Sequence, residues 1–246
     1  MLAGALGAAL AACAKVGPPP GGPEDKTAPA IVREAVHPPP GAAGVRGDST
    51  VTIVFTESPD RRSVMRALAV FPAVDFRATS WRGDTLSLTP DPGWAANRNT
   101  LIRIGPSAHD PRGNTLAEPF VLRFTTKASA DSGTIRGRVW AGRERGGSAH
   151  LLVFAAPADS TVSGSAPAAV ADAGTNGEFV LDGLDPGTAW RVSGLIDADG
   201  DARPGGRDEA TGSAEGVVKF APASTKRKPQ TSSWARSTRS ATSRAT

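Results

Sequence analysis

The 246-residue sequence has one cysteine, no tyrosine and only 5% aromatic residues. A single thiol excludes an intrachain disulfide framework and a cysteine-rich zinc site. The three histidines, His37, His109 and His150, lack the short spacing of zinc ligands, and the chain has no Gly-x-Ser-x-Gly nucleophile elbow. No glycine loop precedes a helix to cradle a phosphate. We therefore expect a non-catalytic protein without an organic cofactor.

Basic charge is concentrated at the C-terminal end of the chain. The formal net charge is +4, but residues 223–246 contain six basic residues and no acidic one. Without those six, 22 basic residues face 24 acidic ones, a net charge of −2. This balance excludes the basic surface typical of nucleic-acid binding, so we expect no nucleic-acid partner. Residues 223–246 are predicted to be a disordered basic tail, and contact with anionic lipid or polymer is the alternative.

The only cysteine, Cys13, ends the run Leu10-Ala11-Ala12-Cys13. An uncharged Leu/Ala/Gly stretch precedes it, as long as the apolar region of a signal peptide and too short to span a bilayer. This segment resembles a bacterial lipobox. The resemblance implies a lipoprotein signal peptide at residues 1–12, cleavage before Cys13, and acyl chains such as palmitate on its thiol. An incidental thiol near the N-terminus is the alternative.

The residues around this lipobox-like run bear on localisation. No Lys or Arg precedes the apolar stretch, so we expect the true start to lie upstream of Met1. Residues 13–27 are rich in Pro and Gly and are predicted to be a stiff, solvated tether. Ala14 follows the cysteine, where lipoproteins of the enteric type carry Asp for retention at the inner membrane. We therefore expect the outer membrane of the cell envelope.

Frequent Gly and Pro between short apolar runs indicate an all-β chain. Residues 49–56 alternate between apolar and polar, which predicts a half-buried strand with Val51, Ile53 and Phe55 on one face. Residues 60–68 predict a short helix capped by Asp60. Further strands are predicted at 74–81, 85–89, 101–104 and 120–125, the first two forming a hairpin through Gly83.

Five short segments carry a family resemblance across residues 28–127. They are VTIVFTE at 51–57, GDTL at 83–86, NTL at 99–101, DPRGN at 110–114 and FTT at 124–126. Their order and spacing resemble the bacterial Ig-like domain of S-layer type. The resemblance implies a β-sandwich that serves as a spacer or adhesion scaffold and has no catalytic residues of its own.

A second sandwich is predicted at residues 133–222. Strands are predicted at 134–139, 149–155, 178–181 and 190–196, with the last one at 216–220. The phrase GEFVLDGLDPG at 177–187 is similar to the carboxypeptidase-regulatory-like, transthyretin-like sandwich. The linker, residues 128–132, is small and polar, so we expect few contacts between two independent domains.

Acidic residues cluster after the predicted strand 190–196. Carboxylates at alternate positions can converge on a hard cation such as Ca²⁺. Counting from Asp197 places Asp208 twelfth, as in an EF-hand, but position six is Ala202 and no helices flank the loop. The alternatives are a weak Ca²⁺ site and a solvated turn without an ion. The candidate ligands are Asp197, Asp199, Asp201, Asp208 and Glu209.

Together these patterns predict two tandem β-sandwiches behind a signal peptide and a tether. The function we expect is that of a lipid-anchored cell-envelope protein, which presents Ig-like modules for structural spacing or adhesion. The alternative is a calcium-assisted module that binds a glycan or polymer of the envelope. The partners we expect are the membrane, reached through Cys13, and an envelope protein or glycan.

Overall fold

The computed structural model describes residues 22–140, 150–158, 167–205 and 207–220. Cys13, residues 1–12, most of the tether and the basic tail lie outside the described residues. In the described ranges the chain is all-β, as predicted, and no helix there is long and apolar enough to cross a membrane. The elements are a 3₁₀ turn Arg33–Ala35, helix α1 Arg61–Ala67, and strands β1 Val51–Val54, β2 Leu68–Phe71, β3 Asp75–Arg82, β4 Thr85–Asp91, β5 Asn99–Ile104, β6 Phe120–Thr125, β7 Gly133–Arg138, β8 His150–Pro157, β9 Ala169–Asp172, β10 Glu178–Leu184, β11 Trp190–Asp197 and β12 Ala210–Ser213.

The first sandwich consists of two three-stranded antiparallel sheets, ordered β1-β4-β3 and β2-β5-β6. The alternation predicted for β1 is present, because Val51, Ile53 and Phe55 are buried between the sheets. Trp94 fills the same core and packs edge-on against Phe124 at a centroid distance of 5.2 Å. Burial of the apolar side chains in this core stabilises the first sandwich.

Helix α1 begins where its cap predicts. Asp60 accepts a hydrogen bond from the backbone N–H of Ser63 at 2.7 Å, which satisfies one of the free donors of the first turn. Strand β2 then starts at Leu68, immediately after the helix. The helix predicted at 60–68 therefore ends one residue early, and β2 was not predicted, because no Gly or Pro separates the two elements.

The second sandwich pairs the two-stranded sheet β10-β7 with the four-stranded sheet β12-β11-β8-β9. Its core includes Phe179 and Leu181 from one sheet and Val153 and Val192 from the other. The prediction of a last strand at 216–220 was wrong. The edge strand is β12, while residues 216–220 contribute a single bridge between Val218 and Trp190.

Candidate functional site

Strand β5 is buried on both of its faces. Ile102 and Ile104 point into the core of the first sandwich, whereas Leu101 and Arg103 point the other way. Successive side chains of a strand alternate between faces, so the segment Leu-Ile-Arg-Ile divides cleanly into two pairs. The outward face of β5 therefore requires a partner that covers it.

That partner is the four-stranded sheet of the second sandwich. Its central strands, β8 and β11, also bury both faces. Val153 and Val192 enter the core of the second sandwich, whereas Leu152 and Leu195 belong to a third apolar cluster shared with the first sandwich. Phe71 and Phe154 pack edge-on across this contact with ring centroids 6.1 Å apart. The buried members of the cluster are Ala69, Leu101, Leu152, Val170, Leu195 and Ala202.

The contact stacks the four sheets as successive layers with three apolar interfaces. The expectation that few contacts cross the linker is therefore wrong. It rested on the composition of residues 128–132, but the contact is formed by strands distant in sequence. The linker is itself held in place, because Asn99 donates to both Asp131 and the carbonyl of Gly183, at 3.0 and 2.7 Å.

Arg103 lies at the centre of this contact with no exposed side-chain surface. Its Nε and Nη2 donate to the two carboxylate oxygens of Asp172 on β9, at 3.2 and 2.6 Å. Such bidentate pairs are stronger than single hydrogen bonds and fix the geometry of both groups. The third nitrogen, Nη1, lies 3.7 Å from Oδ2 of Asp197 at the end of β11. One guanidinium of the first sandwich thus faces two carboxylates of the second.

Asp197 is fully buried and organises the loop that follows β11. Its Oδ1 accepts hydrogen bonds from the N–H groups of Gly200 and Ala202 at 3.0 and 3.2 Å. Its Oδ2 is buried and has no hydrogen bond among the described residues. Burial raises the pKa of Asp197, against the opposing effects of these backbone donors and of Arg103.

Four of the five predicted ligands come together at this loop. One carboxylate oxygen each from Asp197, Asp199, Asp201 and Glu209 lies within 4.8 Å of the others. Burial, and then the nearby charges of Asp199 and Glu209, raise the pKa of Asp201. The structure does not bring Asp208 into this group, and its backbone is left-handed with φ of 64°.

The loop also packs closely against the first sandwich. A Cβ atom on Gly105 would lie 2.8 Å from the carbonyl oxygen of Gly200. A Cβ atom on Gly200, whose φ is +83°, would lie 2.5 Å from Oγ of Ser107. Real Cβ atoms do not approach other atoms this closely, so both glycines are needed for the contact. The acidic group and the contact between the sandwiches are thus parts of one site.

A second acidic group lies in the first sandwich, and sequence reasoning missed it. Asp25, Glu57 and Asp110 place carboxylate oxygens within 4.8 Å of one another. Asp110 is already satisfied, since Arg112 and Asn114 donate three hydrogen bonds to it at 2.8 Å. Burial, then the charges of Asp25 and Asp110, raise the pKa of Glu57. The three residues are far apart in sequence, so no local spacing could have indicated the group.

Two tryptophans serve as core residues. Trp94 and Trp190 are 5% and 4% exposed and belong to the two cores. His37 is exposed, and His109 Nδ1 lies 2.7 Å from the carbonyl oxygen of Asp110. The side chain of His150 lies outside the described residues. Two pockets along the contact measure about 210 and 230 Å³, below the usual size of a ligand pocket, about 300 Å³ or more.

The first sandwich is similar to a family of known domains. Residues 25–126 match the family described as bacterial Ig-like domain. The first sandwich is a bacterial Ig-like domain. This confirms the resemblance drawn from the sequence for that part of the chain, and such a domain indicates an envelope-associated or extracellular protein. No curated protein sequence matches the chain.

Solved structures show only distant likeness to the chain. The L,D-transpeptidase LdtMt1 in complex with imipenem is 16% identical over 45% of this chain and 44% of its own, with a TM-score of 0.29. An L,D-transpeptidase from Mycobacterium smegmatis is 18% identical over 53% of this chain and 62% of its own, with a TM-score of 0.30. The N-terminal part of the bacterial S-layer protein SbsC is 8% identical over 80% of this chain and 45% of its own, with a TM-score of 0.30. The chain spans less than two thirds of each, and scores this low carry no argument about activity.

Proposed function

We propose that this chain is a non-catalytic cell-envelope protein that presents two β-sandwiches as one rigid unit for structural spacing or adhesion. The observation that carries the proposal is the buried contact around Arg103. Domains in a chain usually move relative to each other unless their interface is large and apolar. Here an apolar cluster and a fully buried guanidinium join them. A rigid pair keeps its outer end at a fixed distance from its point of attachment.

The attachment in this proposal is Cys13, acylated in the outer membrane. The proposal is supported by the lipobox-like run that ends at Cys13, by the Pro/Gly tether behind it, and by the bacterial Ig-like domain that follows. A stiff tether of this composition separates a folded domain from the membrane surface. The likeness of the second sandwich to the transthyretin-like modules remains a prediction.

Metabolic labelling tests the anchor. Cells that express the full native gene are grown with an alkyne-tagged fatty acid and extracted with a phase-separating detergent. We expect the wild-type protein to carry label and enter the detergent phase, and Cys13→Ala to do neither. Label that persists in Cys13→Ala, or is missing from the wild type, would refute the anchor.

Affinity capture tests the role of the sandwiches. The full chain is crosslinked in intact envelopes, and its partners are compared with those of a chain in which Arg103→Met loosens the contact. Spacing or adhesion by a rigid unit predicts that capture of the envelope partner falls in the variant, while labelling at Cys13 is unchanged. Equal capture by both chains would contradict a role for the rigid arrangement.

The positions of three tryptophans argue against the alternative, calcium-assisted glycan binding. A sugar-stacking platform needs exposed, coplanar aromatic faces, and Trp94 and Trp190 bury theirs in the cores. Trp81 is half-buried, and its ring packs against Phe55 and lies under the guanidinium of Arg61. These three tryptophans therefore give no support to glycan recognition.

A further inference from the structure

The four carboxylates after β11 are arranged around a small volume at the edge of the contact between the sandwiches. Asp197, Asp199, Asp201 and Glu209 each direct one oxygen to within 4.8 Å of the others. All four side chains are acidic and the group contains no His or Cys, so its donor atoms are hard oxygens. Such a set suits Ca²⁺, which takes six to eight oxygen ligands in variable geometry. Zinc prefers nitrogen and sulfur ligands.

Asp197 gives a second and independent reason to place a cation here. Its side chain is fully buried, and its Oδ2 accepts no hydrogen bond from the described residues. The nearest atom of Arg103 is 3.7 Å away, longer than a hydrogen bond, and Arg103 already makes a bidentate pair with Asp172. A buried carboxylate oxygen that accepts no hydrogen bond is costly, and a cation bound beside it would lower that cost.

We propose that Asp197, Asp199, Asp201 and Glu209 bind a hard divalent cation of the Ca²⁺ class, and that this ion tightens the contact between the two sandwiches. The inference builds on the rigid pair proposed above and adds its regulation. It does not depend on acylation of Cys13, and the pair could be rigid without any ion.

The coupling follows from the position of Asp197. Its carboxylate belongs to the acidic group and also faces Arg103 of the Ig-like domain. The same loop packs through Gly200 onto Gly105 and Ser107 of that domain. An ion that orders the loop therefore orders the surface on which the Ig-like domain rests. Coupling of this kind is reciprocal, so a tighter contact also raises the affinity for the ion.

Linkage gives the expected size of the effect. Extracellular calcium modules bind with dissociation constants of about 10⁻⁴ to 10⁻³ M. At 10 mM Ca²⁺ and a dissociation constant of about 10⁻⁴ M, the unfolding equilibrium constant falls about 100-fold. At about 10⁻³ M it falls about 10-fold. Either change is measurable.

The test uses the full chain with Cys13→Ala, which leaves no cysteine and no acyl chain. Isothermal titration with CaCl₂ measures binding, and hydrogen exchange with mass spectrometry compares 10 mM Ca²⁺ with EDTA at equal ionic strength. We expect one bound ion and slower exchange both in residues 197–201 and across the contact in residues 99–107. The same concentration of Mg²⁺ should protect less, because Mg²⁺ demands a stricter octahedral geometry.

Two variants separate the site from general electrostatics. Asp199→Asn with Asp201→Asn removes two ligands but leaves buried Asp197 in place, and should abolish binding and both protections. Asp208→Asn is the matched control, since Asp208 lies in the same loop, is exposed and stands outside the group. It should bind Ca²⁺ as the wild type does.

Each contrary result has a separate meaning. No heat of binding and no protection would overturn the cation site while the rigid pair of the proposed function stands. Protection confined to residues 197–201 would overturn the coupling to the contact. If Mg²⁺ protected as well as Ca²⁺, or if Asp208→Asn lost binding as completely as the double variant, the effect would be charge screening and not a specific site.

Discussion

Replacing Arg103 by methionine removes the central charge of the contact while keeping most of its apolar bulk. The side chain of Arg103 is 0% exposed, and that of its partner Asp172 is 22% exposed. In Arg103→Met, Asp172 and Asp197 both lose the guanidinium that they face in the wild type. Removing one partner of a buried ion pair costs about 3 to 5 kcal/mol. We expect a loss near the lower end, about 3 kcal/mol, because water still reaches Asp172.

Urea denaturation of the Cys13→Ala chain measures this loss. With a slope of about 2 kcal/mol per molar urea, a loss of about 3 kcal/mol lowers the midpoint by about 1.5 M. The matched control is Arg136→Met, because Arg136 is exposed on β7 and far from the contact. Surface changes of this kind usually alter stability by about 0.5 kcal/mol or less.

A double variant tests whether charge is the cause. Replacing Asp172 by leucine alongside Arg103→Met removes one of the two uncompensated carboxylates, so the double variant should regain about 1 kcal/mol or more over Arg103→Met alone. If Arg103→Met loses no more stability than Arg136→Met, or if the double variant is less stable than Arg103→Met, the ion pairs do not hold the contact as described.

Two further changes address the apolar contact and the helix cap. Leu101→Ala should lower stability by about 2 to 5 kcal/mol and speed hydrogen exchange in the second sandwich as well as the first; an effect confined to the first would contradict a shared contact. The hydrogen bond from the backbone N–H of Ser63 lowers the pKa of Asp60 below its ordinary 3.8. The stability from this bond is therefore present above pH 3.8 and is lost as the pH falls through the lower folded-state pKa. Between pH 5 and 3 the melting temperature should fall less steeply for Asp60→Asn than for the wild type. Parallel curves of melting temperature against pH would contradict a lowered pKa of Asp60 in the folded state.

The sequence predicted the elements that depend on local patterns. Strand β1 follows from its alternation, helix α1 from its Asp60 cap, and the β3–β4 hairpin from the turn at Gly83, whose φ is +56°. Strand β9 was missed because its sequence, Ala-Val-Ala-Asp, is short and half alanine, which has little preference for strands. Strand β12, Ala-Thr-Gly-Ser, carries almost no apolar signal.

The contact between the sandwiches could not be read from local patterns. A signal was nevertheless present, since Arg103 stands alone in the apolar strand Leu-Ile-Arg-Ile. A charge inside such a strand needs a buried partner, but its partners Asp172 and Asp197 lie 69 and 94 residues away in sequence. The acidic loop was found because its residues are neighbours in the chain. Which acid completes the group, Glu209 and not Asp208, depends on backbone geometry.

A distance distribution between the two sandwiches shows whether they form a rigid pair. In the Cys13→Ala chain, spin labels at Ser80→Cys on β3 and Val180→Cys on β10 report the separation of the two sandwiches by double electron–electron resonance. Both positions are exposed, and a pair at Ser80 and Arg112 within the Ig-like domain gives the width set by the labels alone. We expect one narrow distribution across the contact, as narrow as the control. A broad or multiple distribution across the contact, beside a narrow control, would contradict the rigid pair.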